Sequence, residues 1–259
     1  MKYGICHLSM APCRSEASDK SEMVTQILFG ETITVFEQQG SWCKIATAWD
    51  NYECWIDCKQ FCYISKREFD QLQENPGAIS SDLVQVLQNM EKNAVQTIVL
   101  GSNLPDYSKN FCQIDKKKWR FEGSVLKGNP SPKKQDLVEH AFMYLTTPYL
   151  WGGRSPFGID CSGLVQLVYK MSGIKMPRDA SQQAGIGTTL SFIEEAEEGD
   201  LAFFDNEEGN IIHVGIMLNN NRIIHASGEV RIDRIDHQGI FNVDTRKYSH
   251  HLRLMKQVF

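Results

Sequence analysis

The sequence predicts an α+β chain in which one or two small β-barrels precede a domain of helices followed by a meander of strands. Three observations carry this. The first sixty residues are short apolar stretches cut by turn signals. A Pro- and Lys-rich stretch, "GNPSPKKQD", marks a change of texture at 128–136. Beyond it, two helical patterns come before several strand-like segments.

Within residues 1–62, "TITVF", "WCKIA" and "YECWID" read as strands. They are separated by Phe29-Gly30-Glu31, Gln39-Gly40 and Asp50-Asn51. Short strands at such spacing suggest one small barrel. Residues 63–127 read as a second, diverged barrel with a helical insertion. "KREFDQLQENPG" is a short helix stopped by Pro76-Gly77. "SDLVQVLQNMEKN" reads as a second helix capped by Ser81 or Asp82. "AVQTIVLGSNLP" and "FCQIDKKKWRFEG" read as strands.

Residues 128–136 read as a linker, and 137–259 as the second domain. "DLVEHAFMYLTTPYLWGG" is helical, with Leu137, Ala141, Tyr144 and Leu145 apolar, and is broken by Pro148. A second helix follows in "GIDCSGLVQLVY". "DLAFFD", "IIHVGIML", "RIIHASG" and "HLRLMKQVF" read as strands.

The chain has 259 residues, 42% of them hydrophobic, and a formal net charge of −5. That balance argues against a general nucleic-acid binder, and the lone basic run "KKKWR" reads as a solvated face. No stretch approaches the ~20 apolar residues of a membrane helix. The start, "MKYGICHLSM", lacks the apolar core and cleavage site of a secretory signal. A cytoplasmic monomer is therefore expected, or a periplasmic or extracellular one if a leader has been removed.

Eight cysteines stand at 6, 13, 43, 54, 58, 62, 112 and 161. In a reducing compartment seven of them are expected to be small core hydrophobes. No CxxC pair, HExxH pair or Gly-rich phosphate loop occurs, so neither a metal nor a cofactor is expected.

The eighth cysteine has a different setting. Leu164, Val165, Leu167, Val168 and Met171 repeat at helical spacing, and Gly173 closes the run. Asp160 is placed to be the N-cap, which puts Cys161 in the first turn. There the helix dipole and unpaired N–H groups favour a thiolate and an oxyanion. Small Ser162 and Gly163 leave room for a substrate.

A cysteine nucleophile needs a base, and the base needs an orienting group. His213 and His225 lie on two strands joined by Asn219–Asn221. With a three-residue turn, paired positions sum to 440, so 215 faces 225 and 213 shares its face. The two imidazoles are then diagonal neighbours, roughly 7–8 Å apart at the backbone. His213 is the expected base and His225 its orienting partner.

"YLWGGRSPFGIDCSGLVQ", "HVGIML" and "HASG", in this order, resemble the NlpC/P60 family of cysteine peptidases, a papain-like fold. The resemblance covers roughly residues 131–259. It implies Cys161 as nucleophile, His213 as base and His225 as orienting residue, with peptidoglycan peptides cut after γ-D-glutamate. "PCRSEASDKSEMVTQILFGETITV" and "WDNYECWID" are similar to bacterial SH3 (SH3b) domains.

The whole chain looks like the SH3b-bearing branch of γ-D-glutamyl-L-diamino acid endopeptidases. Such enzymes release L-Ala-γ-D-Glu from peptides with a free N-terminal L-Ala. The likeness implies Glu22, Tyr52, Tyr149 and Asp160 around the free amine. It implies Arg178, Asp179 and Ser181, with Ser162 close by, around the D-Glu; Ala180 stands where some relatives carry serine. The expected partners are L-Ala-γ-D-Glu-L-Lys or its meso-diaminopimelate counterpart. Two other classes remain open: a non-catalytic wall-binding protein, and an amidase or acyl transferase on the same scaffold.

Overall fold

The computed structural model describes residues 1–128 and 132–259. The chain forms two compact units. Unit 1 is Met1–Pro130 with Trp151–Pro156, and unit 2 is Ser131–Leu150 with Phe157–Phe259.

Unit 1 opens with β1 (Lys2–Ile5), β2 (Met10–Arg14), β3 (Met23–Leu28), β4 (Thr32–Gln39), β5 (Trp42–Thr47), β6 (Glu53–Asp57) and β7 (Cys62–Ile64). They make one antiparallel sheet in the order β3-β2-β6-β5-β4-β1-β7. The period-2 pattern sets its inner face: Cys43, Ile45, Cys54, Ile56, Ile33 and Val35 are buried together.

Cys43 and Cys58 form a disulfide, with Cα atoms 5.6 Å apart. This corrects the expectation that seven cysteines would be unbonded core residues. Strand pairing brings the two together, since Cys58 N–H donates to the carbonyl of Ser41 just before β5. The other six cysteines are free thiols.

After β7, Ser65 caps α1 (Lys66–Glu74), accepting from the Glu68 N–H. Then come β8 (Ala78–Ser80), β9 (Val84–Asn89), β10 (Ala94–Val99), β11 (Asn103–Leu104), β12 (Phe111–Ile114), β13 (Lys117–Phe121) and β14 (Val125–Lys127). They build a four-stranded sheet, β10-β9-β13-β12, and a three-stranded one, β11-β8-β14.

The helix expected over "SDLVQVLQNMEKN" is instead β9 and its turn. Leu83, Val86, Leu87 and Met90 mimic helical spacing, but Val86 is exposed and Leu87 is buried, as a strand requires. Asn89 folds the chain back by accepting from the Glu91 and Lys92 N–H groups. Val84 then pairs with Val99. This second set of strands shares a core with the first. Ile5 and Phe29 pack with Leu72, Leu87, Ile98, Trp119 and Phe121.

The short segment Trp151–Pro156 also belongs to unit 1 and carries β15 (Arg154–Ser155). Arg154 is 3% exposed and forms a two-pronged ion pair with Glu31, at 2.9 and 3.0 Å. Its Nη1 also donates to the Gln26 carbonyl at 2.6 Å. A charge so buried is held in place by matched hydrogen bonds.

Unit 2 begins with α2 (Lys134–Phe142). The linker expected over 128–136 therefore ends earlier, and positions 129–131 of it lie outside the described residues. Lys134 is drawn into the fold by ion pairs to Glu197 and buried Asp200. Next are β16 (Gly158–Ile159), α3 (Cys161–Met171), α4 (Ala180–Gln183), β17 (Thr188–Leu190), β18 (Leu201–Asp205), β19 (Ile211–Leu218), β20 (Arg222–Ser227), β21 (Glu229–Asp236), β22 (Gly239–Asn242) and β23 (Lys247–Gln257).

The strands run β17-β23-β18-β19-β20-β21-β22, and the long β23 also pairs with β22, so the sheet curls closed. Ala202, Phe204, Met217, Ile223, Ile235, Ile240 and Met255 fill its inside. Every residue of α3 is buried, Lys170 and Gln166 included. None of the helices among the described residues is long and apolar enough to cross a membrane.

Candidate active site

The site grows from the start of α3. Asp160 is its N-cap and accepts from the Gly163 N–H at 2.7 Å. The cap orients the first turn, where N–H groups lack intrahelical partners. Cys161 follows, 6% exposed. N–H groups of Val214 and Ser162 reach its sulfur. Val214 is the neighbour of His213, so the thiol sits against the strand that carries the expected base.

The helix terminus does not win the electrostatic contest. Burial, followed by the Asp160 carboxylate, pushes the Cys161 thiol up to about 12. The Val214 N–H, Arg178 and the Ser162 N–H oppose this and lose. The expectation of a resting thiolate is thus corrected: the free site holds a thiol. His213 is 4% exposed, and burial, then His250 and His225, hold it well below the usual imidazole range. The resting pair is neutral thiol and neutral imidazole.

The hairpin carrying the histidines has the register read from its turn. Ile216 pairs with Ile224 and Leu218 with Arg222, each pair summing to 440. Asn220 and Asn221 take the left-handed backbone conformation such a turn needs. His213 Nε2 lies 2.9 Å from His225 Nδ1, with ring planes at 86°. Gly215, opposite His225, is required by close approach. A Cβ there would stand 3.0 Å from His225 Cβ and 2.7 Å from Ile223 Cδ1.

Three residues that the sequence reading passed over complete this cluster. His225 Nε2 lies 3.2 Å from Asp233 Oδ2. Arg231 grips the same carboxylate through Nε at 2.7 Å and Nη2 at 3.0 Å. Burial raises Asp233, but the hydrogen bonds from His225 and Arg231 outweigh it and bring the carboxyl down to about 2. His250 stacks on His213 with centroids 4.0 Å apart and planes at 21°. Burial, then His225, lowers it to about 4, against the pull of Asp233.

The three histidines offer nitrogens within 4.8 Å of one another. Their ring geometry suits hydrogen bonding and stacking better than a shared ion. The facing nitrogens of His213 and His225 are bonded to each other, and the parallel rings of His213 and His250 aim their in-plane lone pairs alongside rather than together.

The other residues singled out from the sequence divide between the units. Tyr149 is near Cys161: burial, then Cys161 and Asp160, push its hydroxyl up to about 12. Arg178 is 2% exposed and meets Asp160 at 2.6 and 3.0 Å and Ser162 Oγ at 2.9 Å. It acts as a brace for the cap. Asp179 caps α4 in a reciprocal pair with Gln182, and Ser181 is exposed on that helix. Buried Gln183 donates to the carbonyls of Ser162 and Pro177, tying α4 to α3. Glu22 and Tyr52 stand in unit 1. Glu22 is exposed and accepts from the Trp151 indole N–H. Tyr52 is half-buried beside the first barrel core.

Known proteins match this arrangement in both units. Residues 146–248 match the NlpC/P60 family, and residues 13–61 match the bacterial dipeptidyl-peptidase Sh3 domain. The chain is 28% identical to a gamma-D-glutamyl-L-lysine dipeptidyl-peptidase of Bacillus cereus, over 81% of this chain and 68% of that one. It is also 28% identical to dipeptidyl-peptidase 6 of Lysinibacillus sphaericus, over 88% of this chain and 90% of the relative. A crystal structure of an NlpC/P60 family protein from Bacillus cereus superposes with a TM-score of 0.85, at 22% identity and covering 99% of both chains. The chain thus carries an NlpC/P60 domain preceded by a bacterial dipeptidyl-peptidase Sh3 domain.

Proposed function

We propose that the protein is a cysteine endopeptidase that cuts the bond between γ-D-Glu and a diamino acid. Its substrates are peptidoglycan-derived peptides with a free N-terminal L-Ala, and it releases L-Ala-γ-D-Glu. One observation carries the reading: a cysteine at a helix N-terminus receives the N–H of Val214, whose neighbour His213 is held by a second histidine at 2.9 Å. Relatives named as γ-D-glutamyl-L-lysine dipeptidyl-peptidase and dipeptidyl-peptidase 6 support the substrate class.

In this reading, His213 removes the thiol proton as Cys161 attacks the γ-carbonyl carbon. A tetrahedral oxyanion forms, and the Cys161 N–H at the helix start is available to it. The C–N bond breaks, the departing amine takes the proton from His213, and a thioester remains. Water, deprotonated by His213, then releases the dipeptide and restores the thiol. Because thiol and imidazole are both neutral at rest, proton transfer accompanies attack instead of preceding it.

Asp160 and Tyr149 are proposed to receive the free amine of L-Ala. Ser162, Arg178, Asp179 and Ser181 are proposed to orient the D-Glu part. An ammonium placed on Asp160 would offset one of the two influences that hold the thiol up, so recognition of the amine would also activate the nucleophile.

The test is hydrolysis of L-Ala-γ-D-Glu-L-Lys and of its N-acetyl form, with products identified by mass. Release of L-Ala-γ-D-Glu from the free peptide, at least 100-fold faster than from the acetylated one, is expected. Absence of cleavage, or equal rates, overturns the reading. Loss of turnover in Cys161→Ala and His213→Ala is expected alongside.

A further inference from the structure

The two-histidine cluster continues one strand further than a nucleophile, base and orienting group require. On β20 and β21, His225 pairs with Arg231 and Ile223 with Asp233. Asp233 is therefore the diagonal neighbour of His225 on one face, as His225 is of His213 across the previous hairpin. The side chains follow this backbone geometry: His213 Nε2 to His225 Nδ1 at 2.9 Å, and His225 Nε2 to Asp233 Oδ2 at 3.2 Å.

Donor and acceptor capacity fixes the direction of this chain. Asp233 is 2% exposed and accepts two hydrogen bonds from the always-charged Arg231. Its Oδ1 also receives the Val243 N–H at 3.4 Å. So satisfied, it is an ionised carboxylate that only accepts. The nitrogen of His225 facing it must be the protonated one. With the His225 ring neutral, Nδ1 keeps a lone pair, and His213 Nε2 donates to it. One nitrogen of His213 is left as a base, Nδ1.

We propose that Asp233 is a positioning residue which, acting through His225, locks His213 in the tautomer with Nδ1 free to take the thiol proton. This rests on His213 being the base, as set out above. Arg231 in turn holds Asp233, and its second contact, to exposed Asp244 at 2.7 Å, anchors the guanidinium from the turn after β22. The charged and titratable groups around the carboxylate are thus His225, Arg231, Asp244 and, across the sheet, His250.

Asp233→Asn cannot keep this arrangement. An amide nitrogen at the Oδ2 position donates to His225 and reverses the tautomer of both imidazoles. An amide nitrogen at the Oδ1 position faces the Arg231 and Val243 donors instead.

The direct measurement needs no substrate. Long-range ¹⁵N–¹H spectra of the imidazoles of the full chain at pH 7.5 should show His213 and His225 both protonated on Nε2. In Asp233→Asn, His225 should shift toward Nδ1–H. With L-Ala-γ-D-Glu-L-Lys, kcat of this variant should fall roughly 10- to 100-fold, by analogy with the groups that orient metal-ligating histidines from behind, with KM unchanged. In a His225→Ala background the same substitution should cost nothing further, which a merely structural carboxylate would not satisfy. Arg231→Gln, at a partly exposed position, should give a smaller loss in the same direction.

Wild-type protein with His225 protonated on Nδ1 overturns the proposal without any variant. So does an Asp233→Asn effect that persists undiminished in the His225→Ala background. A protein inert toward every wall peptide would sink the proposed function and leave the tautomer measurement standing.

Discussion

The neutral state of Cys161 can be read out by alkylation as pH is raised. Burial and Asp160 place its pKa at about 12. At pH 7 a thiol of that pKa is ~10⁻⁵ thiolate, whereas a free cysteine near 8.5 is about 3% ionised. That difference of ~10³·⁵ is partly recovered because a more basic thiolate is more nucleophilic, by about 0.4–0.5 log units per pKa unit. The net expectation is alkylation roughly 100-fold slower than free cysteine. The assay is timed iodoacetamide labelling of the substrate-free protein, with mass mapping of the peptide containing Cys161. Its rate should climb about tenfold per pH unit from 6 to 10, without a plateau. A plateau with a midpoint below pH 8 would show a preformed thiolate and refute the argument that burial and Asp160 outweigh the helix start.

Three further outcomes are expected. Gly215→Ala forces a Cβ against Ile223 and His225; it should cost about 1–3 kcal/mol of stability by overpacking and, by moving His225, up to ~10²-fold in kcat, measured by denaturant titration and turnover. Arg154→Ala leaves buried Glu31 without its cation, and should destabilise unit 1 by about 3–5 kcal/mol, whereas Arg154→Met with Glu31→Leu should recover much of this in thermal melts. His213 and His250 both have folded pKa values below the ordinary imidazole value, so their contribution to stability is complete above pH ~6.5 and is lost as pH falls through the folded values, which for His250 is about 4. Tm should drop across that window, and His250→Phe, which keeps the stacking face, should flatten the drop by on the order of 3 kcal/mol.

Much of the site was legible because its geometry is set by local rules. Asp160 before an apolar helical repeat announces a cap, and the cap places Cys161. A three-residue Asn turn fixes a register, and the register places His213 beside His225. The same arithmetic was available one hairpin later. Ser227 pairs with Glu229 around Gly228, which sums to 456 and aligns His225 with Arg231 and its diagonal neighbour Asp233. It was missed because "EVRIDRID" alternates charge with aliphatics and looks like a solvated segment until the sheet closes over it. His250 was not legible, since its stacking on His213 depends on β23 returning across the curled sheet, a pairing more than thirty residues long in sequence. The thiol pKa was misread for a related reason: a cap is local, whereas burial is a property of the finished fold. In the first unit, "SDLVQVLQNMEKN" satisfies both a helical and an alternating pattern, and only the hairpin partner at Ala94–Val99 decides between them.

Arg154 carries a consequence for how such a protein can be assembled from parts. The residues that satisfy it, Gln26 and Glu31, are encoded more than a hundred positions upstream, while its own codon lies seven before that of Cys161. A gene fragment spanning only 132–259 would translate a guanidinium whose acceptors are missing. Exchange of the amino-terminal module for another would do the same unless the incoming module presented a carboxylate and a carbonyl at matching points. The two halves are therefore not freely recombinable cassettes. Shuffling experiments that transplant 1–128 should succeed only when positions 26, 31 and 154 travel as one inherited set.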